Sequence, residues 1–174
     1  AWRLAARGHA VTVREQFTDG HTRGSSHGES RVIRKAYFEH PDYVPLLEAA
    51  YQGWAELEAQ ASSEFFLRCG GLFLGRPDGI LVDGCVRSAQ KHGLDHEVWS
   101  FAQVRDRYPG MDPDEDMVGF WDPAAGVLRA DRARAEMRDS AMRLGAKFEF
   151  GATTVPDGPT VFTPGPWASQ VLAE

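Results

Sequence analysis

With only two cysteines in 174 residues, Cys69 and Cys85, the sequence lacks the density of a disulfide framework. Neither sits at metal-ligand spacing, and the six histidines form no H-x-x-x-H pattern, so no metal site is predicted. Packing is the plain role of both thiols, which fits a reducing, cytoplasmic setting. No apolar run approaches the roughly 20 residues of a membrane-spanning helix, and no signal-like apolar stretch precedes a small-residue cleavage site. Nor is positive charge concentrated: 19 Lys and Arg against 25 Asp and Glu give a net charge of −6, with the basic residues scattered. No nucleic-acid partner is therefore expected, because phosphate binding needs a basic stripe. Internal repeats and low-complexity tracts are absent too. What is there is 43% hydrophobic residues, enough to bury one domain or slightly more.

The densest stretch is Arg23-Gly-Ser-Ser-His-Gly-Glu-Ser-Arg-Val-Ile-Arg34. Gly24 and Gly28 carry no Cβ and permit turns or close backbone approach to a ligand. Ser26-x-x-Glu29 has capping-box spacing, which predicts a short helix starting near Ser26 whose N-terminal N–H groups suit an anion. On that helix Arg31 and Arg34 share a face, and two neighbouring guanidinium groups ask for something negative between them. A solvated basic turn closing a loop fits the same spacing.

Trp2 to Arg7 are good helix formers stopped by Gly8, and Ala10-Val-Thr-Val-Arg-Glu15 alternates as a strand. Helix, glycine, strand and terminal acid make the back half of a βαβ dinucleotide unit, in which Glu15 bonds a ribose. The glycine-rich pyrophosphate turn of such a unit is expected upstream of Ala1. By itself, Glu15 also reads as a solvated strand end. Apolar spacing predicts an amphipathic helix from Tyr43 to about Ala61, and one or two strands follow within Phe65 to Gly75. Helices are predicted from Asp78 to Gly93 and from Ser100 to Tyr108, with Gly84 a blemish in the first of them. Asp112 to Asp116 reads as a solvated acidic loop, Val118 to Trp121 as a strand, and Asp122 to Gly126 as a turn. A helix over Asp131 to Leu144 precedes strands at Lys147–Phe150 and Thr160–Thr163, the latter leading through Gly165 towards another helix.

Ordered along the chain, these residues resemble the flavin-dependent amine oxidases of the monomeric sarcosine oxidase and N-methyltryptophan oxidase family, within the D-amino acid oxidase-like superfamily. The carriers are Gly8 to Glu15, His21-Thr22 with Gly-Ser-x-His-Gly-x-x-Arg-x-x-Arg34, Ala36-Tyr37 and Tyr43-Val-Pro-Leu46. Gly71 to Gly75, Tyr108-Pro-Gly110, Pro123-x-x-Gly-Val-Leu128, Gly145-Ala-Lys147 and Gly165-x-Trp-x-Ser169 continue the match. The resemblance implies an α/β fold: a Rossmann-like FAD-binding domain, here without its first strand and glycine-rich turn, and an attached mixed-sheet α+β substrate region. Residues 1–62 and 127–174 would form the FAD part and 63–126 the substrate part.

The resemblance further implies an FAD-dependent oxidase of N-methyl (secondary) amino acids such as sarcosine or N-methyltryptophan. Products would be the demethylated amino acid, formaldehyde and hydrogen peroxide, with oxygen as acceptor and a monomeric, cytoplasmic enzyme. Glu15, Gly24, Ser25, Ser26, His27, Arg31, Thr154, Val155, Gly165 and Trp167 would contact FAD. Arg31, Arg34 and His27 would form the catalytic set, Arg31 against the isoalloxazine and Arg34 on the substrate carboxylate. Tyr37 to His40 would border the substrate pocket. The family's flavin-linking cysteine aligns with neither Cys69 nor Cys85. A non-catalytic truncated fragment with weak or no nucleotide binding is the alternative.

Overall fold

The computed structural model describes residues 1–62, 64–154 and 156–171. In chain order its elements are α1 (Trp2–Ala6), β1 (Thr12–Glu15), β2 (Arg31–Ile33), α2 (Val44–Glu58), β3 (Phe66–Leu67) and β4 (Gly71–Gly75). They continue with α3 (Ile80–His92), β5 (Glu97–Trp99), α4 (Phe101–Arg107), β6 (Val118–Asp122), β7 (Gly126–Leu128), α5 (Ala130–Arg143), β8 (Lys147–Phe150) and α6 (Ala168–Val171). A 3-10 turn over Pro41–Tyr43 leads into α2, and another over Gly165–Trp167 leads into α6. Among the described residues no helix is long and apolar enough to cross a membrane.

The chain divides into two compact units: residues 1–30, 60–65 and 129–174, and residues 31–59 and 66–128. In the first, β1 and β8 pair in parallel, from Thr12 opposite Lys147 to Glu15 opposite Phe150. Helix α1 packs on α5. Trp2 and Ala5 are buried on α1, and Ala133 and Ala141 are buried on α5. Buried Glu136 on α5 is not left alone, because Ser62 Oγ donates to it at 2.9 Å.

The second unit holds two antiparallel three-stranded sheets, ordered β2-β7-β3 and β4-β6-β5. Its core gathers Ala36, Cys85, Ala89 and Phe120, with Phe38, Phe73 and Leu81 packed against them. The segment before this core is pinned by Asp122, which is 2% exposed. Its Oδ2 accepts the Lys35 and Ala36 N–H groups at 3.0 and 3.3 Å, and its Oδ1 accepts Ala124 N–H at 2.9 Å. Three N–H donors satisfy a carboxylate that burial would otherwise penalise.

Two sequence expectations change. Arg31-Val-Ile33 is a strand, not the first turn of a helix beginning near Ser26. The β-branched Val32 and Ile33 favour a pleated ladder, and β7 supplies one, pairing Val32 with Val127 and Ile33 with Gly126. Thr160–Thr163 is not a strand either: it finds no ladder, and Val161 and Phe162 stay exposed at 76% and 45%. β5 and β7 are short additions that the sequence reading leaves out.

Candidate functional site

In the first unit the site is built at the C-terminal end of β1, the end where ligands of open parallel sheets bind. Glu15 closes the strand and turns its carboxylate back onto the following loop. Phe17 N–H donates to Oε1 at 3.0 Å, and His21 Nε2 lies 3.5 Å from Oε2. Phe17 is the hub of the loop. Its ring meets His21 edge-on at 4.9 Å and Trp167 at 5.2 Å, and the Arg23 guanidinium stands over it at 4.6 Å. Glu15 and Trp167, 152 positions apart by their numbers, are thus joined through one residue, Phe17, by its backbone N–H on one side and its ring on the other. The loop is fastened to α5 by Asp19, which pairs with Arg134 at 3.0 Å and with Arg138.

The Gly24–Gly28 turn closes on itself where the His27 ring meets the Gly24 carbonyl through Nδ1. Gly28 then adopts φ +115°, a conformation that L side chains rarely take. Its N–H donates to Asp131 Oδ1 at 3.1 Å, and its carbonyl accepts Asp131 N–H at 3.2 Å. Glu29 carbonyl accepts Ala130 N–H at 3.2 Å. The turn therefore fills the first free amides of α5 with its own carbonyls. Ser25 and Ser26 are exposed on its outer side. Thr154 carbonyl accepts from Arg14 Nη1 at 3.1 Å, while Arg14 also pairs with Glu149 across the β1–β8 ladder at 2.8 Å. Gly165 opens the turn that carries Trp167, and Val155 lies outside the described residues.

Arg31 and Arg34 belong to the second unit. Arg31 starts β2 and is exposed. Arg34 lies against three rings, its guanidinium 4.4 Å from the Tyr37 centroid and 5.6 Å from both Phe38 and Phe73. One of its terminal nitrogens pairs with Glu39 at 3.3 Å, and its Nε is buried without a hydrogen-bond partner. A largely desolvated guanidinium with an unsatisfied N–H is suited to a planar anion. The segment Tyr37–Phe38 is held against α3. Ser88 Oγ donates to Tyr37 carbonyl, and Cys85 Sγ donates to Ala36 carbonyl at 3.3 Å.

The sequence reading includes Glu39 only as part of the Tyr37 to His40 pocket border, and it misses the other partners of these residues: Phe17, His21, Asp131 and Asp122. A signal exists for His21 alone, which stands in the quoted motif. Phe17 meets Glu15 from two positions away but Trp167 across 150, and Asp131 and Asp122 act over 103 and 87 positions, separations that no local spacing encodes.

A carboxylate at the C-terminal end of a parallel α/β strand stands where dinucleotide-binding folds place their ribose-binding acid. Residues 1–169 match the family described as DAO, FAD dependent oxidoreductase, and the chain belongs to that family. It is 36% identical over 192 aligned residues to the monomeric sarcosine oxidase of Streptomyces avermitilis, covering 100% of this chain and 50% of that protein. The peroxisomal sarcosine oxidase of Mus musculus is 32% identical over 99% of this chain and 48% of its own length. An N-methyl-L-tryptophan oxidase of Yersinia pestis is 34% identical over 65% of this chain and 30% of its length. The chain spans about half the length of the sarcosine oxidases it matches.

Solved structures share the fold. NikD, described as an unusual amino acid oxidase essential for nikkomycin biosynthesis, superposes with a TM-score of 0.74 at 24% identity, over 86% of this chain and 39% of that one. Iminodiacetate oxidase from Chelativorans sp. BNC1 gives 0.72 at 21% identity over 99% of this chain and 53% of the other.

The residues present fit FAD at the points this chain supplies. The Glu15 side chain remains 34% exposed with lone pairs to offer a ribose, and the orphaned Arg34 Nε suits an anionic substrate group. Metal binding finds no cluster of His, Cys, Asp and Glu among the described residues.

Proposed function

We propose that this chain is part of an FAD-dependent oxidase of N-methyl (secondary) amino acids such as sarcosine or N-methyltryptophan. The reaction would convert the amine, water and oxygen to the demethylated amino acid, formaldehyde and hydrogen peroxide. When bound, FAD supplies the two-electron acceptor that takes a hydride equivalent from the carbon beside the amine nitrogen and returns electrons to oxygen. The supporting observation is Arg34, a cation held by three rings with its Nε buried and unpartnered. Such an edge asks for a carboxylate, the group that every N-methyl amino acid carries.

In this reading Glu15 bonds the adenosine ribose. Gly24, Ser25, Ser26 and His27 line the cradle, and Thr154 and Val155 meet the adenine through their backbone. Gly165 and Trp167 lie by the cofactor. Arg31 sits against the isoalloxazine, where a fixed cation stabilises negative charge arriving on the ring. Arg34 orients the substrate carboxylate, and Tyr37 to His40 border its pocket. The first compact unit then carries most of the FAD part and the second the substrate part. The enzyme is cytoplasmic and monomeric in this reading, the monomer supported by the name of the Streptomyces relative.

The test uses the full-length protein. A yellow solution whose flavin absorbance survives desalting, and which releases hydrogen peroxide on adding sarcosine or N-methyltryptophan, is the expected outcome. A colourless protein that acquires no flavin would overturn the reading and leave a non-catalytic fragment.

A further inference from the structure

The loop after β1 surrounds the Glu15 carboxylate with groups of fixed direction. Phe17 N–H holds Oε1 at 3.0 Å. On the other side stands His21, Nε2 3.5 Å from Oε2, within ion-pair range and one small side-chain adjustment short of a hydrogen bond. The imidazole is held in this direction by two contacts. Its Nδ1 accepts Arg23 N–H at 3.1 Å, and its face meets the edge-on Phe17 ring at 4.9 Å. A nitrogen that accepts must present a lone pair, so the proton of the neutral ring resides on Nε2, the atom facing Glu15. Trp167 and Arg23 close over Phe17, and Asp19 ties the loop to Arg134 and Arg138.

We infer that His21 is a positioning residue for the cofactor's adenosine ribose: its Nε2–H and the Phe17 N–H clamp the two Glu15 oxygens so that their remaining lone pairs face the ribose hydroxyls. A carboxylate has about four lone-pair sites, and the clamp occupies two. The clamp also removes the rotation of a glutamate side chain, whose ordering otherwise opposes binding. This inference rests on the reading of Glu15 as the ribose carboxylate.

The experiment uses full-length apoprotein from riboflavin-starved cells and titrates it calorimetrically with ADP and with 2′,3′-dideoxy-ADP, which lacks the hydroxyls. Wild type should prefer ADP by roughly tenfold or more, the size expected for hydrogen bonds to a charged group. His21→Gln places an amide N–H near the position of Nε2 and should keep most of that preference. His21→Asn can still accept from Arg23 but cannot reach Glu15, and should drop to about threefold or less. The two variants are matched in polarity, so a general loosening of the loop would affect both alike. Equal preference in Asn and Gln variants would overturn the role of His21 while leaving Glu15 in place. No preference in wild type would overturn the Glu15 reading, and this inference with it.

Discussion

Gly28 and Asp131 exchange two hydrogen bonds across 103 positions of sequence: the Gly28 N–H bonds Asp131 Oδ1 at 3.1 Å, and the Asp131 N–H bonds the Gly28 carbonyl at 3.2 Å. Asp131 also places negative charge in the first turn of α5, where the helix dipole favours it. One residue thus stabilises both a helix start and the proposed cofactor cradle.

Asp131→Ala should therefore destabilise the full-length protein by about 1–2 kcal/mol, the scale of a lost hydrogen bond to a charged acceptor together with a favourable helix-dipole charge, and lower Tm by a few degrees. Asp131→Asn keeps the acceptor and should recover most of that loss. Thermal melts of the three proteins check this. An Ala variant that melts at the wild-type temperature would mean the exchange holds nothing in place.

The Arg34–Glu39 pair makes an opposite kind of claim. Glu39 is 42% exposed at its side chain, so the pair contributes at most about 1 kcal/mol. Glu39→Gln should lower KM for an N-methyl amino acid about two- to fivefold, because the internal competitor for Arg34 is gone. Arg34→Ala should raise KM on the order of 100-fold, and Arg34→Lys should not rescue it, since lysine lacks the planar fork. Arg31→Ala should instead slow flavin reduction. Steady-state and stopped-flow kinetics separate the cases, and unchanged kinetics in both Arg variants would defeat the site assignment.

Gly84 sits inside α3, where alanine would ordinarily gain about 1 kcal/mol of helix propensity. Here a Cβ would lie 2.3 Å from the Phe38 carbonyl oxygen and 2.8 Å from its Cα, both backbone atoms that cannot rotate away. The clash should win, at about 1–3 kcal/mol for overpacking. Gly84→Ala is expected to lower the midpoint of urea unfolding. A raised midpoint would show that the Tyr37–Phe38 segment yields.

These cases also show how much of the molecule could be read from the chain alone. Period and punctuation located α2, α3, α4 and α5, and a Ser100–Gln103 capping box starts α4. The same rule failed at Ser26–Glu29. A capping box needs a helix to cap, and β7 drew Arg31–Ile33 into a ladder first. The Gly84 blemish was visible, but its cause was not, because Phe38 reaches it only through tertiary packing. The proposed site residues come from a family motif. Their holders, Asp131, Asp122 and Phe17, were not legible, since each acts through contacts that the fold alone creates.

Alkaline pH supplies a further check. Burial pushes the Cys85 thiol up to about 11 from 9.0, with the nearby Arg34 charge opposing the shift and Asp122 and Glu39 adding to it. Burial and the Asp122 charge likewise raise the Tyr51 phenol above its ordinary 10.0. Both groups hold their protons more tightly folded than unfolded. Their stabilisation is complete below pH 9 and is lost as pH climbs to 11 and beyond. Urea midpoints should fall steadily above pH 9, less steeply in Tyr51→Phe. At pH 8 a thiol reagent should modify exposed Cys69 quickly and Cys85 only on unfolding.

Asp122 carries a different consequence. Its carboxylate is shut away from solvent and bonds three backbone amides, two of them in the segment that leads directly from Arg34 to the Tyr37–Phe38 rings. Replacing it would leave those amides without an acceptor and let Arg34 lose its aromatic seat. A mutational screen scored by peroxide production would then rank position 122 beside the residues that meet substrate, and only a parallel assay of folded protein would tell a builder of the site from a participant in it.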